Sequence, residues 1–313
     1  MRALRIPAIV RLLAAGALAL VAVTLPAPTP AQERLRVLAT LPDLWSITRA
    51  LVGDLGEVQV ATRLGQNPHD LEIRPSQIML VKRAEILVRN GLDEDAWIDP
   101  VIESSGNPRL LRGAPSVIEA VRGLGVLKVR SGPVDRSLGD VHPSGNPHFT
   151  LDPGTMPIVT ANIAAGLGRL RPDLAERIEV NRRSFLEDVA AAARRWTEAL
   201  APHRGAAVVS YHDSWPYFYR AFGFEELGVI EDRPGVPPSP QHLAALIRQM
   251  RERRAKVVLV ESWYPTDTAA AVARAAGAQV LVVPQSPGAV KGADTYISHL
   301  DALVAAMARA MAN

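Results

Sequence analysis

The stretch DLAERIEVNRRSFLEDVAAAARRWTEAL, residues 173–200, contains neither glycine nor proline. Its apolar side chains recur at helical spacing, which predicts an amphipathic α-helix. These apolar residues are Leu174, Ile178, Val180, Phe185, Leu186, Val189, Ala192 and Trp196. A helix of about 28 residues would span about 42 Å at 1.5 Å per residue, which is long for a globular domain. We therefore predict one rigid helix that connects two parts of the chain.

Short apolar runs alternate with helical patterns on both sides of this stretch. We expect strands over residues 36–40, 58–61 and 86–88 before it, and over residues 206–210, 227–230, 256–261 and 279–283 after it. Alternation of buried strands with helices predicts parallel sheets covered by helices. The expected fold class is therefore α/β, with two lobes of mostly parallel sheet and flanking helices, joined by the one long helix.

The expected division of the chain has four parts. They are a signal peptide (1–31), an N-terminal lobe (32–172), the connecting helix (173–201) and a C-terminal lobe (202–313). Within the N-terminal lobe we expect a helix over residues 94–104, whereas the pattern over residues 110–129 is ambiguous. Residues 131–147 are rich in glycine, proline and serine, which predicts an exposed loop.

The first 31 residues have the composition of a secretory signal peptide. Arg2, Arg5 and Arg11 form a basic start, and an apolar run follows over residues 12–25. Thr29-Pro30-Ala31 is an acceptable cleavage site after this run. The run is shorter than the roughly 20 residues that a membrane-spanning helix needs. We therefore expect a cleavable signal peptide rather than an N-terminal membrane anchor.

Charge and cysteine content exclude several classes of protein. Removal of the three arginines of the signal peptide reduces the 35 basic residues to 32, which equals the 32 acidic residues. No excess positive charge remains to hold a nucleic acid, so we exclude DNA and other nucleic-acid partners. The chain has no cysteine. Thiolate zinc sites, disulfides and a lipid anchor on an N-terminal cysteine are therefore excluded.

Three histidines that are far apart in the chain lie at the ends of predicted strands. Asn67-Pro68-His69 and Asn146-Pro147-His148 repeat one tripeptide, and His212 follows the predicted strand over residues 206–210. Proline stiffens the turn that presents each of the first two imidazoles. Ligands of open parallel sheets bind beyond the carboxyl ends of the strands. We predict that His69, His148 and His212 converge between the lobes to bind Zn²⁺, since neutral imidazole suits zinc.

The fourth position of this site is open to more than one interpretation. Glu261 ends the predicted strand over residues 256–261, and is either a metal ligand or a carboxylate that orients a ligand imidazole. Water is the alternative fourth ligand. Asp70 and Asp213 each follow a predicted ligand and are expected to point away from the metal in a supporting role. His142 is expected to be a solvated loop residue with at most transient metal contact.

Four motifs together resemble the zinc and manganese solute-binding proteins of bacterial ABC importers, the cluster A-I family. The motifs are Asn67-Pro68-His69-Asp70-Leu71-Glu72, Asn146-Pro147-His148-Phe149-Thr150-Leu151-Asp152-Pro153, Tyr211-His212-Asp213 and Val258-Leu259-Val260-Glu261. The resemblance implies two α/β lobes with the metal between them. Within this family, the chain is similar to the zinc branch. Members of that branch have a histidine at the position of His212, whereas manganese members typically have a carboxylate there.

The chain departs from this family at two places. Many members have an aspartate after the strand that here continues into Val282-Val283-Pro284-Gln285-Ser286, and no carboxylate stands there. Many members of the zinc branch also carry a long histidine-rich loop, whereas the loop before His148 holds only His142. A role of this loop in collecting metal is therefore not supported by its composition.

The resemblance implies a periplasmic solute-binding protein that captures Zn²⁺ and delivers it to the membrane permease of an ABC importer. We expect a monomer that is not an enzyme, with manganese as the alternative metal. A periplasmic zinc chaperone or adhesin is one alternative. A zinc hydrolase is another, because three histidines and an open position also describe catalytic zinc. Against the hydrolase, the chain has no His-Glu-x-x-His or Gly-x-Ser-x-Gly motif, and Glu261 is the only obvious base.

Overall fold

The computed structural model describes residues 34–69, 71–129 and 142–312. The expected signal peptide, Asp70 and most of the expected loop over residues 131–147 lie outside the described residues. The structure from Arg34 onward forms one compact unit.

Among the described residues, eight strands form two separate four-stranded sheets. The strands of the first sheet are β1 (Leu35–Ala39), β2 (Gly56–Val60), β3 (Ile86–Arg89) and β4 (Val117–Glu119). The strands of the second sheet are β5 (Ala207–Ser210), β6 (Glu225–Val229), β7 (Val257–Glu261) and β8 (Gln279–Val283). Every recorded pair of neighbouring strands is parallel. The parallel α/β class predicted from the alternating pattern is therefore confirmed.

Nine α-helices occur in the part of the chain that the structure describes. They are α1 (Pro42–Val52), α2 (Pro75–Arg83), α3 (Ile98–Ser105), α4 (Met156–Leu170), α5 (Ala175–Leu200), α6 (Pro216–Phe222), α7 (Pro240–Arg253), α8 (Asp267–Ala276) and α9 (Tyr296–Ala312). Within these described ranges, no helix is long and apolar enough to cross a membrane.

The two sheets have the same strand order. The first runs β2-β1-β3-β4 and the second runs β6-β5-β7-β8. In each sheet the chain reverses its direction of winding beside the first strand, so a crevice opens between the carboxyl ends of β1 and β3, and of β5 and β7. Residues that follow these strands are therefore placed to bind a ligand.

The prediction of one long connecting helix is confirmed, since α5 has 26 residues from Ala175 to Leu200. Its buried side chains, which include Phe185 and Trp196, belong to a hydrophobic cluster that also contains Leu44 of α1 and Leu300 of α9. The Tyr296 main-chain N–H donates a hydrogen bond to Ser46 Oγ at 2.8 Å. The last helix of the chain therefore packs against elements of the first half, which limits relative motion of the two sheets. The exact lobe boundaries at 32–172, 173–201 and 202–313 stay a prediction.

The prediction of a helix over residues 94–104 is wrong at its start, because α3 begins only at Ile98. Leu92 and Asp93 have φ angles of 57° and 65°, in the left-handed region that helical residues do not adopt. The Asp95 carboxylate then accepts a hydrogen bond from the main-chain N–H of Asn90. Glu94 consequently lies on a tight turn after β3 instead of on a helix surface. The ambiguous residues 110–129 contain the short edge strand β4.

Candidate metal site

The two Asn-Pro-His tripeptides have the same local geometry. The Asn67 Oδ1 atom accepts a hydrogen bond from the His69 main-chain N–H at 3.0 Å, and Asn146 Oδ1 accepts from the His148 main-chain N–H at 3.1 Å. Asparagine forms such a turn by hydrogen bonding to the backbone two residues on. Because proline fixes the residue between them, each histidine is held on a turn with little conformational freedom. Such rigidity lowers the entropy that a metal ligand loses on binding.

These two histidines converge with His212, which follows β5. The ring centroids are 5.9 Å apart for His69 and His148, 5.2 Å for His69 and His212, and 6.0 Å for His148 and His212. One ring nitrogen from each lies within 4.8 Å of one nitrogen of both others. The structure therefore brings together the three histidines predicted from the sequence, in an arrangement that can hold a metal ion.

A carboxylate fixes the orientation of the His212 ring. The Nδ1 atom of His212 lies 2.9 Å from Glu231 Oε2, and both side chains are largely buried. The other oxygen of Glu231 accepts a hydrogen bond from the Gly235 main-chain N–H at 2.9 Å. With Nδ1 engaged by a carboxylate, Nε2 is the nitrogen that remains for a metal. This arrangement is typical of metal-binding histidines.

Asn146 also connects the second tripeptide to the loop of His212. Its Nδ2 atom donates a hydrogen bond to the main-chain oxygen of Asp213 at 2.6 Å. The Tyr217 hydroxyl donates to the main-chain oxygen of Asn146 at 3.1 Å. These bonds join residues distant in sequence, so the spacing between His148 and His212 is set by hydrogen bonds as well as by packing.

The electrostatic environment keeps His148 neutral. Burial lowers its pKa well below the ordinary value, and the neighbouring imidazoles of His69, His212 and His142 lower it further. Its Nε2 atom is buried and makes no hydrogen bond to the described residues. An imidazole must be neutral to offer a lone pair to a metal. The pKa shift therefore favours the form of His148 that binds.

Two further side chains lie at the same place. Glu94 Oε2 is 3.4 Å from His142 Nε2 and 3.9 Å from His69 Nε2. The side chains of Glu94 and His142 are only 3% and 11% exposed. His69, Glu94 and His142 form a second group of three that could hold a metal. The expectation that His142 is a solvated loop residue is therefore wrong, because its ring is enclosed beside Glu94 and His69.

Glu94 is a buried carboxylate with an altered acidity. Burial raises its pKa, and the nearby His69 opposes the shift. The turn that presents it is held by Asp95, which accepts hydrogen bonds from Thr40 Oγ1 at 2.7 Å and from Arg89 Nη2 at 3.2 Å. Sequence reasoning missed Glu94 because the residue was assigned to a helix. Its position in the turn that follows the buried strand β3 was the available signal.

The structure does not bring Glu261 into either group of three among the described residues. Its Oε1 atom accepts a hydrogen bond from Trp215 Nε1 at 2.9 Å. Burial raises the Glu261 pKa, whereas the nearby His212 lowers it. Glu261 thus lies close to His212 as a supporting residue, and the alternative that it closes the site as fourth ligand is not favoured by this geometry. Gln285, after β8, lines a cavity together with His148 and Glu94.

The Asp213 carboxylate pairs with a lysine. Its Oδ1 atom accepts a hydrogen bond from Lys128 Nζ at 2.6 Å, and Lys128 also contacts Glu226. Asp213 belongs to neither potential metal group. The expected supporting role agrees with this contact, which connects Lys128 to the loop of His212.

Replacing Glu231 by alanine is expected to weaken Zn²⁺ binding by about 10–100-fold, because the loss of a carboxylate behind a ligand histidine typically has this effect. Isothermal titration calorimetry would measure the change. Glu225→Ala is the matched control, since Glu225 lies on β6 and contacts Arg253 at the surface. Equal affinities of the two variants would contradict the role assigned to Glu231.

Known proteins resemble this chain over nearly its whole length. It is 25% identical over 290 residues to the iron-binding protein YfeA of Yersinia pestis, with 90% of this chain and 88% of that protein covered. It is also 25% identical over 309 residues to the high-affinity zinc uptake system protein ZnuA of Paracoccus denitrificans, with 87% and 90% covered. The chain covers only 52% of the zinc-binding protein AdcA of Streptococcus pyogenes, to which it is 22% identical.

Solved structures of other proteins have a fold similar to that of this chain. A manganese-bound periplasmic metal-binding protein from Candidatus Liberibacter asiaticus superposes with a TM-score of 0.74 at 21% identity, over 89% of this chain and all of that one. The model of one family, described as ZnuA, zinc-uptake complex component A, periplasmic, matches residues 37–310. This range includes both sheets and all three histidines, and it confirms the resemblance to the cluster A-I solute-binding proteins. The chain belongs to the ZnuA family of periplasmic zinc-uptake components.

Proposed function

We propose that the protein captures Zn²⁺ between its two lobes in the periplasm and delivers it to the membrane permease of an ABC importer. The observation that carries this proposal is the convergence of His69, His148 and His212, each with a ring nitrogen within 4.8 Å of the others. Membership of the ZnuA family supports the transport role.

Zinc is proposed as the cargo on the chemistry of the ligands. Imidazole suits zinc, whereas manganese is bound more often by carboxylate and other oxygen ligands. The third residue of the group is His212, and Glu231 orients its ring. The named relatives differ in their metals, since one is called iron-binding, another belongs to a zinc uptake system, and a related structure holds manganese. Manganese is therefore the alternative to be tested.

The remaining expectations are part of the same proposal. We infer that residues 1–31 are a cleavable signal peptide, that no lipid anchor is attached, and that the mature protein acts as a monomer without binding nucleic acid. We also infer that it performs no chemistry on its cargo, since the family consists of transport components. The balance of 32 basic and 32 acidic residues after residue 31 supports the absence of nucleic-acid binding.

Competitive metal titration tests the choice of cargo. Metal-free protein is titrated with Zn²⁺ and with Mn²⁺ in the calorimeter, and then with Zn²⁺ in the presence of excess Mn²⁺. We expect one equivalent of Zn²⁺ to bind and Mn²⁺ to compete poorly. Tighter binding of Mn²⁺, or no binding of Zn²⁺, would show that the zinc proposal is wrong.

Delivery needs a separate experiment. The gene is expressed, with the permease and ATPase of its own organism, in a bacterium that lacks its zinc importer. Growth under zinc limitation is expected only when all components are present. Growth without the permease would instead favour the periplasmic chaperone.

A further inference from the structure

The histidines proposed to hold the cargo are not the only potential ligands at this place. His69 belongs to two groups of three at once, one with His148 and His212 and one with Glu94 and His142. The first group contains three imidazoles, and the second contains a carboxylate. The two groups are therefore chemically different positions that meet at one side chain.

The second group has dimensions close to those of a metal site. In a tetrahedral zinc site with metal–ligand bonds of about 2.0–2.1 Å, neighbouring ligand atoms are about 3.3 Å apart. Glu94 Oε2 lies 3.4 Å from His142 Nε2 and 3.9 Å from His69 Nε2. A small contraction would bring all three atoms to bonding distance of one ion.

Glu94 is held in place for such a role. Its side chain is 3% exposed, and its Oε2 atom is buried without a hydrogen bond to the described residues. The next residue, Asp95, is fully buried and anchored by Thr40 and Arg89. A buried carboxylate oxygen without a hydrogen bond is costly unless a cation or a donor completes its environment. The position of Glu94 is thus explained by an ion that binds there.

The two positions cannot be filled at the same time. Both groups share the His69 side chain, and two dications a few ångströms apart in a partly buried site repel each other strongly. His142 of the second group lines a cavity of about 220 Å³ together with His148 and His212 of the first, and Glu94 lines another cavity together with His148. A single ion can therefore exchange between them without leaving the protein.

We propose that His69, Glu94 and His142 form a second position for the transported divalent cation, which overlaps the three-histidine position through His69. This inference rests on the proposed function, since it takes the cargo to be a Zn²⁺-like ion. The ion exchanges between an all-imidazole set and a mixed set of carboxylate and imidazole, and the mixed set provides a route for its release.

The test removes the first position and asks whether the second still binds. The His148→Ala/His212→Ala double variant is expected to bind one equivalent of Zn²⁺ in the calorimeter, more weakly than the wild type. Adding Glu94→Gln to this variant is expected to weaken the remaining binding at least tenfold. Adding Glu225→Gln is the control, because Glu225 is a carboxylate of the same type outside both groups that contacts Arg253 at the surface, and it is expected to change the affinity less than threefold. X-ray absorption of the zinc-loaded double variant is expected to show oxygen as well as imidazole ligands.

The outcomes separate this inference from the proposed function. If the wild type does not bind Zn²⁺, the proposed function is wrong. If the wild type binds but the double variant does not, or if Glu94→Gln has no greater effect than Glu225→Gln, the second position is wrong and the first stands. Circular dichroism establishes that each variant is folded. Should the double variant not fold, Glu94→Gln in the otherwise unchanged chain is expected to slow Zn²⁺ transfer to a chelator at least threefold, and an unchanged rate would overturn the proposal.

Discussion

Zn²⁺ binding is expected to weaken by about 10²–10³-fold when His148 is replaced by alanine. Structural zinc sites bind with about 10–16 kcal/mol, which corresponds to about 2.5–4 kcal/mol for each of four ligands. His148 presents a buried Nε2 atom from a rigid Asn-Pro-His turn, and burial with the neighbouring imidazoles lowers its pKa. Alanine removes the donor without disturbing the turn, since Asn146 bonds the main chain of residue 148. Calorimetric titration of the metal-free variant measures the loss.

A histidine outside the site provides the control for this measurement. His203 lies in the short turn after α5, at the opposite end of β5 from His212. His203→Ala is expected to leave the Zn²⁺ affinity unchanged. An affinity of His148→Ala within threefold of the wild type would refute the assignment of His148 as a ligand, and the same result for His69→Ala and His212→Ala would refute the site.

The second large effect is expected on stability, from Asp95→Ala. Asp95 and Arg89 are 0% and 1% exposed, and their carboxylate and guanidinium are 3.2 Å apart. Removing one partner of a buried ion pair typically costs about 3–5 kcal/mol. In the variant, the buried Arg89 guanidinium would keep only the ion pair of its Nη1 atom with the partly exposed Asp99 carboxylate at 2.8 Å. The Thr40 hydroxyl and the Asn90 main-chain N–H also lose the Asp95 carboxylate as their hydrogen-bond acceptor, which destabilises the fold further. We expect the free energy of unfolding in urea to fall by about 3–5 kcal/mol.

A surface ion pair supplies the comparison. Asp54 contacts Arg177 at 2.8 Å, with both side chains more than half exposed. Exposed pairs of this kind contribute little to stability. Asp54→Ala is therefore expected to change the unfolding free energy only slightly. A similarly small change for Asp95→Ala would mean that the network below Glu94 does not stabilise the fold.

Some of the site could be predicted from the sequence because the signals are local. Each Asn-Pro-His tripeptide carries its own turn chemistry, with the asparagine oxygen bonded to the histidine N–H. His212 could be predicted as a ligand because it directly follows a buried strand. The resemblance of these motifs to one family then indicated that the three histidines belong to a single site.

Other features could not be predicted because they depend on contacts between distant segments. Glu94 was predicted to lie in a helix, since nothing in the residues next to it predicts the left-handed backbone conformation of Leu92 and Asp93. His142 lies in a stretch with a loop-like composition, and only the packing of Glu94 and His69 against it encloses its ring. Glu231 follows β6, and its hydrogen bond to His212 depends on the pairing of β6 with β5.

The α/β class, the long helix and the group of three histidines could be predicted from local patterns, because hydrophobic periodicity and turn chemistry act over a few neighbouring residues. Which carboxylates accompany those histidines depends on the packing of distant segments, which places Glu94 beside His69, Glu231 beside His212, and Glu261 against Trp215. The tertiary structure also decided that α9 packs on α1 and α5. The physical reason is that burial and ion-pair distances are set by how separate segments pack, and that packing has no signature in local spacing.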